Sequence, residues 1–535
     1  MIKKLINGKM NSITSAALIL ALATLASKIL GFIKITILAG AFGIDDLDIY
    51  YAAFRIPDFI FNIVVMGALS AGFIPVFARL VFEKKEKEAF RTTNIILNLL
   101  FVVIIFLCVI SIIFAPQLID LVAPGFHDEK KAITVELTRI MFLSPIFLLL
   151  SSILGGILQS YGRFFIYSLS PIMYNIGIIV GAIYFSKWWG LPGLAWGVVL
   201  GSFLHFAIQL PIVFKLGFNY QWVMDIKDIG ARQIIKMMVP RTLTLTTSQL
   251  NLLIITAIAS TLASGSLAVF NLANDLQSFP LGLFAISFAV ASFPTLSSLG
   301  GIEHRIEFAR NLSKTTRQIL FFVIPISVLF VVLRAQIVRA ILGHGQFGWD
   351  ATIMTLDSLG IFSISLFAQS VIPLFSRAFW ALHDSRTPFI ASLIGIIVNL
   401  IFAFFLSKQF GIIGLVSSFS IASIVNAALL YYLINKRTDF ACHSRIYKPI
   451  LKISLAAVAS GYFAHEVLFV IEPLLDTSTA IGIIIQGFIA GLSGLLLYCF
   501  ISWKLGVEEL LIFKNSIQRR IFRSKIETSE IISEE

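Results

Sequence analysis

Residues 93–116 read TNIILNLLFVVIIFLCVISIIFAP, 24 positions without one Asp, Glu, Lys or Arg. Wound into a helix, the stretch is about 36 Å long, enough to cross the roughly 30 Å hydrocarbon layer of a bilayer. Apolar runs of spanning length recur at 13–40, 50–80, 132–160, 164–186, 193–216, 233–262, 267–298, 318–340, 352–381, 388–407, 411–434, 450–472 and 480–503. The chain therefore reads as an all-α polytopic membrane protein of about fourteen transmembrane helices. Composition points the same way: 58% of the 535 residues are hydrophobic and 13% charged, against about 25% charged in soluble domains. The basic segment Met1 to Lys9, followed by apolar sequence, looks like a secretory signal. The runs that follow make it the cytoplasmic entry to span 1.

The formal charge of +12 could serve nucleic acid or an anionic membrane surface, and the placement of the basic residues decides between them. Counted over alternate loops from the N-terminus, thirty of the 41 Lys and Arg fall on one side. Only Lys130, Lys131, Lys187, Arg334, Arg339 and Lys408 fall on the other, and Lys28, Lys34, Arg55, Arg139 and Arg241 lie within spans. An extra or missing span would invert every later loop and scramble this bias. The positive-inside rule thus places both termini in the cytoplasm, and no nucleic-acid partner is needed to explain the charge.

Three echoes recur at a nearly fixed offset. Pro75 is answered by Pro294, Arg163 and Asn175 by Arg386 and Asn399, and Gly193-Leu194-Ala195 by Gly414-Leu415-Val416. Spans 1–6 (1–218, an N-lobe) and 7–12 (219–437, a C-lobe) read as two copies. Six is even, so the two lobes are parallel, related by an axis along the membrane normal, with a cavity expected between them. Spans 13–14 (438–505) are an appendage, and 506–535 is a cytoplasmic tail whose acidic end carries no assigned role.

An ionisable side chain near the bilayer centre costs roughly 2.5–3.5 kcal/mol on insertion scales, so those retained are expected to face protein, water or substrate. Span 2 carries Arg55, Asp58 and Asn62 on one helix face; span 7 carries Arg241, Thr244, Ser248 and Asn251; span 8 carries Asn271, Asn274, Asp275 and Ser278. For Thr244, Ser248 and Ser278 interhelical hydrogen bonding explains the residues as well as a cavity does. For the charged members a hydrated cavity is expected. Lys28 should face it, while Lys34, nearer the outer end, should snorkel or join an outer gate. An ion pair of Lys28 or Lys34 with Asp275 would form a latch for which an anionic ligand competes.

Other chemistries lack their signatures. No GxxxxGK[ST] loop and no HExxH triplet occurs, and Cys108, Cys442 and Cys499 show no CxxC spacing, so no nucleotide, metal, cofactor or catalytic residue is expected. Energy should come from an ion gradient, the membrane potential or substrate flow.

Ser27-Lys28-Ile29-Leu30-Gly31-Phe32, Ala41-Phe42-Gly43, Ala53-Phe54-Arg55-Ile56-Pro57 and Gly67-Ala68-Leu69-Ser70 through Phe73-Ile74-Pro75 resemble the opening of the MurJ (MviN) lipid II flippase family. Ala123-Pro124-Gly125-Phe126, Arg163-Phe164, Leu194-Ala195-Trp196, Gln209-Leu210-Pro211, Arg377-Ala378-Phe379 and Thr387-Pro388 continue the likeness in order. The resemblance implies the multidrug/oligosaccharidyl-lipid/polysaccharide exporter fold, with spans 13–14 forming a lipid-tail groove. It also implies an undecaprenyl-pyrophosphate-linked precursor carried outward across the bacterial cytoplasmic membrane by alternating access, and possible contacts with cell-wall synthesis proteins. Cationic cavity residues would bind the pyrophosphate. The chain departs from the family at several of these positions: Lys28 and Lys34 replace two arginines, Phe61-Asn62 replaces a basic pair, and Asn274-Asp275 with Ser278 replaces Asp-Arg with a following Glu. Lys lacks the planar fork of Arg, so bidentate phosphate recognition is weakened. These departures keep open a different polyprenyl-linked glycan or amphiphile as cargo, or a cation-coupled small-molecule exporter.

Overall fold

The structure is a computed structural model that describes residues 13–66, 72–438, 446–477 and 479–512, with side chains from residue 23 onward except those of 66, 239–241, 243–245, 248 and 302. Every regular element among the described residues is helical. In chain order these are α1 (Ile13–Ala41), α2 (Ile44–Phe61), α3 (Ile74–Phe82), α4 (Glu86–Ile113), α5 (Ala115–Val122), α6 (Asp128–Met141), α7 (Ser144–Ser160), α8 (Phe164–Val180), α9 (Ser186–Trp189) and α10 (Leu191–Ala207). There follow α11 (Leu210–Lys215), α12 (Ile229–Ser260), α13 (Ser266–Pro280), α14 (Ser287–Ser298), α15 (Arg305–Val332), α16 (Arg334–Ile341), α17 (Trp349–Ala381), α18 (Arg386–Thr438), α19 (Tyr447–Ile471) and α20 (Ala480–Lys504).

Among the described residues, eleven helical segments are long and apolar enough to cross a membrane. One of them, α18, is two spans joined at Gly411, whose φ of 56° and ψ of −133° break the helix where the sequence reading opened span 12. The two expected spans outside the eleven are the polar ones, 2 and 7. The first carries Asp45, Asp46, Asp48, Arg55 and Asp58 within Ile44–Phe61, and the described apolar part of the second is Gln249–Ser260. The helices are consistent with about fourteen crossings.

Two compact units divide the described chain. The first holds residues up to Asn271 together with Ile341–Ala351; the second holds Leu272–Ala340 and the residues from Thr352 onward. Packing thus groups α12 with the first six spans, whereas the internal repeat divides the sequence before it. In the first unit α8 and α10 approach through glycines: a Cβ on Gly197 would stand 2.5 Å from the Gly181 Cα, and one on Gly201 would stand 2.5 Å from the Tyr174 carbonyl oxygen. Near 220 the chain is irregular, and Asn94 and Asn98 of α4 donate to the carbonyls of Asn219, Gln221 and Val223, which pins the linker before α12 to α4.

In the second unit Phe308, Leu312, Leu374, Phe379 and Leu430 form a fully buried core. α19 and α20 pack on each other, and Tyr498 Oη donates to the Phe321 carbonyl at 2.8 Å, tying α20 to α15. Beside this packing lies an apolar groove of about 610 Å³, lined by Leu320, Ile324, Phe367, Val371, Phe375 and Ile450 among others.

Turns 221 residues apart share their backbone geometry. After α7, Gly162 has φ 70° and the Arg163 amide donates to the Leu158 carbonyl at 2.8 Å; after α17, His383 has φ 58° and the Asp384 amide donates to the Phe379 carbonyl at 2.9 Å. Every member of this helix ending recurs at an offset of 221. Gly190 and Gly411 repeat the same backbone break, and a Cβ on Gly193 or Gly414 would meet the carbonyl oxygen of Phe185 or Leu406 at 2.4 or 2.1 Å. One echo re-registers: the turn geometry sets Arg163 opposite Asp384 rather than Arg386.

Candidate functional site

The polar stripe of span 2 divides between two destinations. Arg55 directs its guanidinium to α12 and α13, donating from Nε to Thr256 Oγ1 at 2.9 Å and from Nη2 to Asn271 Oδ1 at 2.8 Å. The side chain of Asn271 is itself held by the Leu267 carbonyl, so the fork docks on a fixed acceptor. Asp58, one turn on, lines a separate chamber of about 340 Å³ with Ser144, Ser151, Tyr167, Tyr174 and His205. Asn62 turns back to donate to the Asp58 carbonyl at 2.9 Å, next to a π-helical turn over Asn62–Met66. Arg55 and Asp58 share a helix face, as the spacing predicts, and the Arg55 charge acts on the Asp58 carboxyl.

At the other end of α2, Asp48 is 2% exposed and accepts from the Gly265 amide at 2.8 Å and the Ala268 amide at 2.7 Å. These are unpaired donors at the start of α13, where a carboxylate is favoured. Lys130 Nζ lies 3.0 Å from Asp48 and 3.1 Å from Asp45. Burial pushes the Asp48 carboxyl up, while Lys130 and the two amides act in the opposite direction. Sequence reading missed this cluster because charges at span ends are ordinary.

In the second unit Asn274 Oδ1 accepts from Gln277 at 3.1 Å, and Gln369 donates to Gln277 at 3.0 Å and to Ser365 at 2.9 Å. Asn274 therefore belongs to a polar network through α17. Ser278 donates to the Asp275 carbonyl at 2.8 Å, the local bonding expected of a hydroxyl in a membrane helix. Lys28 is exposed and Lys34 half-buried on α1, in the first unit, and Asp275 lies in the second. The side chains of Arg241, Thr244 and Ser248 lie outside the described residues, as do Gly67-Ala68-Leu69-Ser70 and Cys442. Among the described residues, no group of three His, Cys, Asp or Glu side chains is placed to hold a metal ion.

Buried, hydrogen-bonded polar groups on bent membrane helices suit a solute path better than bond-making chemistry, and comparison with known proteins supplies the kind of path. Residues 38–479 match the family model described as "Lipid II flippase MurJ". A probable lipid II flippase MurJ of Buchnera aphidicola subsp. Acyrthosiphon pisum is 30% identical over 506 residues, covering 93% of this chain and 98% of that one. The lipid II flippase MurJ of Burkholderia cenocepacia is 27% identical over 429 residues, 77% of this chain and 82% of its own. Among solved structures, a lipid II flippase MurJ in an inward closed conformation superposes with a TM-score of 0.74 at 26% identity, covering 91% of this chain and 99% of that one. An inward-facing multidrug transporter of the MATE family shares the fold at 16% identity and a TM-score of 0.64, over 80% of this chain and 99% of its own. The chain is an integral membrane protein, and it belongs to the lipid II flippase MurJ family.

Proposed function

We propose that the chain moves lipid II from the inner to the outer leaflet of the bacterial cytoplasmic membrane by alternating access, in peptidoglycan biosynthesis, with both termini in the cytoplasm. The observation that carries this reading is family membership over residues 38–479. Lys28, Lys34, Arg55 and Arg241 supply positive charge for the precursor's pyrophosphate. Asp58, Asn62, Asn274, Asp275 and Ser278 contribute polar surface along its path, and a Lys28 or Lys34 pairing with Asp275 is displaced as the anion enters. The apolar groove of about 610 Å³ takes the polyprenyl tail, which has no polar group to satisfy. No covalent bond changes during flipping, so the chain works as a transporter without catalytic residues. Its two repeats, 1–218 and 219–437, act as the moving halves.

Rescue of a flippase-depleted cell, scored with precursor accumulation at the inner leaflet, tests the reading. Growth should return and the accumulated precursor should clear. Failure despite normal membrane insertion favours a different polyprenyl-linked cargo, a reading motivated by Lys28, Lys34, Phe61-Asn62 and Asn274-Asp275 where the family carries other charges.

A further inference from the structure

The chamber around Asp58 is unlike the rest of the membrane interior. Carboxylate, imidazole and phenol side chains line one partly open volume of about 340 Å³, formed by α2, α7, α8 and α10. His205 is held in place: its Nδ1 shares a short hydrogen bond with Ser151 Oγ, and Gln209, fully buried one turn on, donates to the same oxygen. The Gln209 side-chain oxygen is buried without a hydrogen-bond partner, so the network has an acceptor to spare. The charged and titratable groups facing Asp58 are few. Arg55 and Tyr50 lie on its own helix, Tyr167 and Tyr174 on α8 and His205 on α10; α7 offers only the hydroxyls of Ser144, Ser151 and Ser152. Arg55 is engaged with Thr256 and Asn271.

Two further observations point to a moving part. The helices carrying Asp58 and Tyr174 each contain a proline, Pro57 and Pro171, and each runs into a π-helical turn, Asn62–Met66 and Gly181–Phe185. Such features mark bends and often functional sites. Moreover, the chamber exists in one repeat only: at the offset of 221, Ser151, His205 and Gln209 fall on Ile372, Asn426 and Leu430. A second copy built on the same backbone has lost every group that could exchange a proton.

We propose that the Asp58 chamber is the protein's proton site, in which the Asp58 carboxylate takes a proton from hydronium in the compartment to which the chamber opens. Water is released, the carboxyl becomes neutral, and the change of charge is transmitted through the Pro57 and Pro171 bends. His205, fixed by Ser151 and Gln209, is the second group through which the proton leaves. This deepens the flippase reading and rests on it for the coupling, whereas the proton site itself does not.

The full chain, reconstituted in vesicles clamped at zero potential, is given a pH gradient of one unit in either direction, and translocation of a fluorescent lipid II is followed. A one-proton step is biased by at most about tenfold under that gradient. Wild type should respond several-fold, while Asp58→Asn and His205→Gln should translocate slowly and indifferently to the gradient. The infrared band of a protonated carboxyl that rises on acidification should be absent in Asp58→Asn and present in Glu466→Gln, a control on exposed α19 surface. If Asp58→Asn keeps both the band and the gradient response, the proton site is wrong. A sodium gradient that replaces the pH gradient in wild type, with no titrating band, reassigns the chamber to a metal cation and overturns the proposal. If the band titrates but no form of the chain moves lipid II, the proton site stands and the flippase reading falls.

Discussion

Arg55 and Asp48 do comparable work at opposite ends of α2, yet only one of them stood out in the sequence. A charge in mid-span is costly and so draws the eye; Asp48 becomes meaningful only once folding brings Gly265, Ala268 and Lys130 to it. Arg55→Lys should not be conservative, since an ammonium cannot reproduce the fork that reaches Thr256 and Asn271. Losing one hydrogen bond to a charged group costs about 1.5–3 kcal/mol, which a thermal-unfolding midpoint in detergent will register as a fall. Asp48→Ala should destabilise more than Lys130→Ala. The first orphans two buried amides, near the lower end of about 3–5 kcal/mol because Lys130 keeps Asp45 and Ser264 as partners; the second leaves Asp48 with both amides. Equal losses from the two variants would contradict this account of the cluster. The roles of His205, Ser151 and Gln209 were illegible for a different reason: their meaning is a shared chamber, assembled from four helices.

At the scale of elements, apolar run lengths located the spans and the break at Gly411, because a helix must satisfy its own backbone in lipid and hydrophobic length is therefore read directly. The π-helical turns were not legible, since nothing in Asn62–Met66 or Gly181–Phe185 distinguishes a wider turn from an ordinary one. The repeat was visible in residue echoes, but its register came from backbone geometry. That register makes a paired prediction: Gly411→Ala and Gly190→Ala place a side chain in the same disfavoured conformation, and each should cost about 1–3 kcal/mol in thermal stability. Asp384 supplies a pH-dependent case at the start of α18. Desolvation alone would raise its carboxyl, but the Thr387 hydroxyl and amide, Arg437 and the Arg386 amide outweigh it and hold it below the ordinary carboxylate range. A depressed acid stabilises the fold above its unfolded pKa and ceases to do so as pH falls through the folded value. Asp384→Ala should accordingly lower the midpoint at neutral pH by an amount near about 1 kcal/mol, and the difference from wild type should vanish in acid; melting curves across pH check both.

For the molecule as a whole, the +12 charge, the loop bias and the polar side chains in spans 1, 2, 7 and 8 converge on a membrane transporter, and the family match fixes which kind. The class of fold was legible because hydrophobic length and charge asymmetry are one-dimensional signals. The polar network of the second unit was legible only in part: Asn274 stood out in the span 8 stripe, while Gln277 and Gln369 are uncharged and common enough in spans to pass unnoticed. The direct test is translocation of fluorescent lipid II by the purified chain in vesicles, read as the fraction reached by a membrane-impermeant quencher. Movement well above protein-free vesicles, slowed on the order of tenfold or more by Arg55→Ala, is the predicted result. A monodisperse, helical preparation that moves lipid II no faster than bare vesicles would contradict the account.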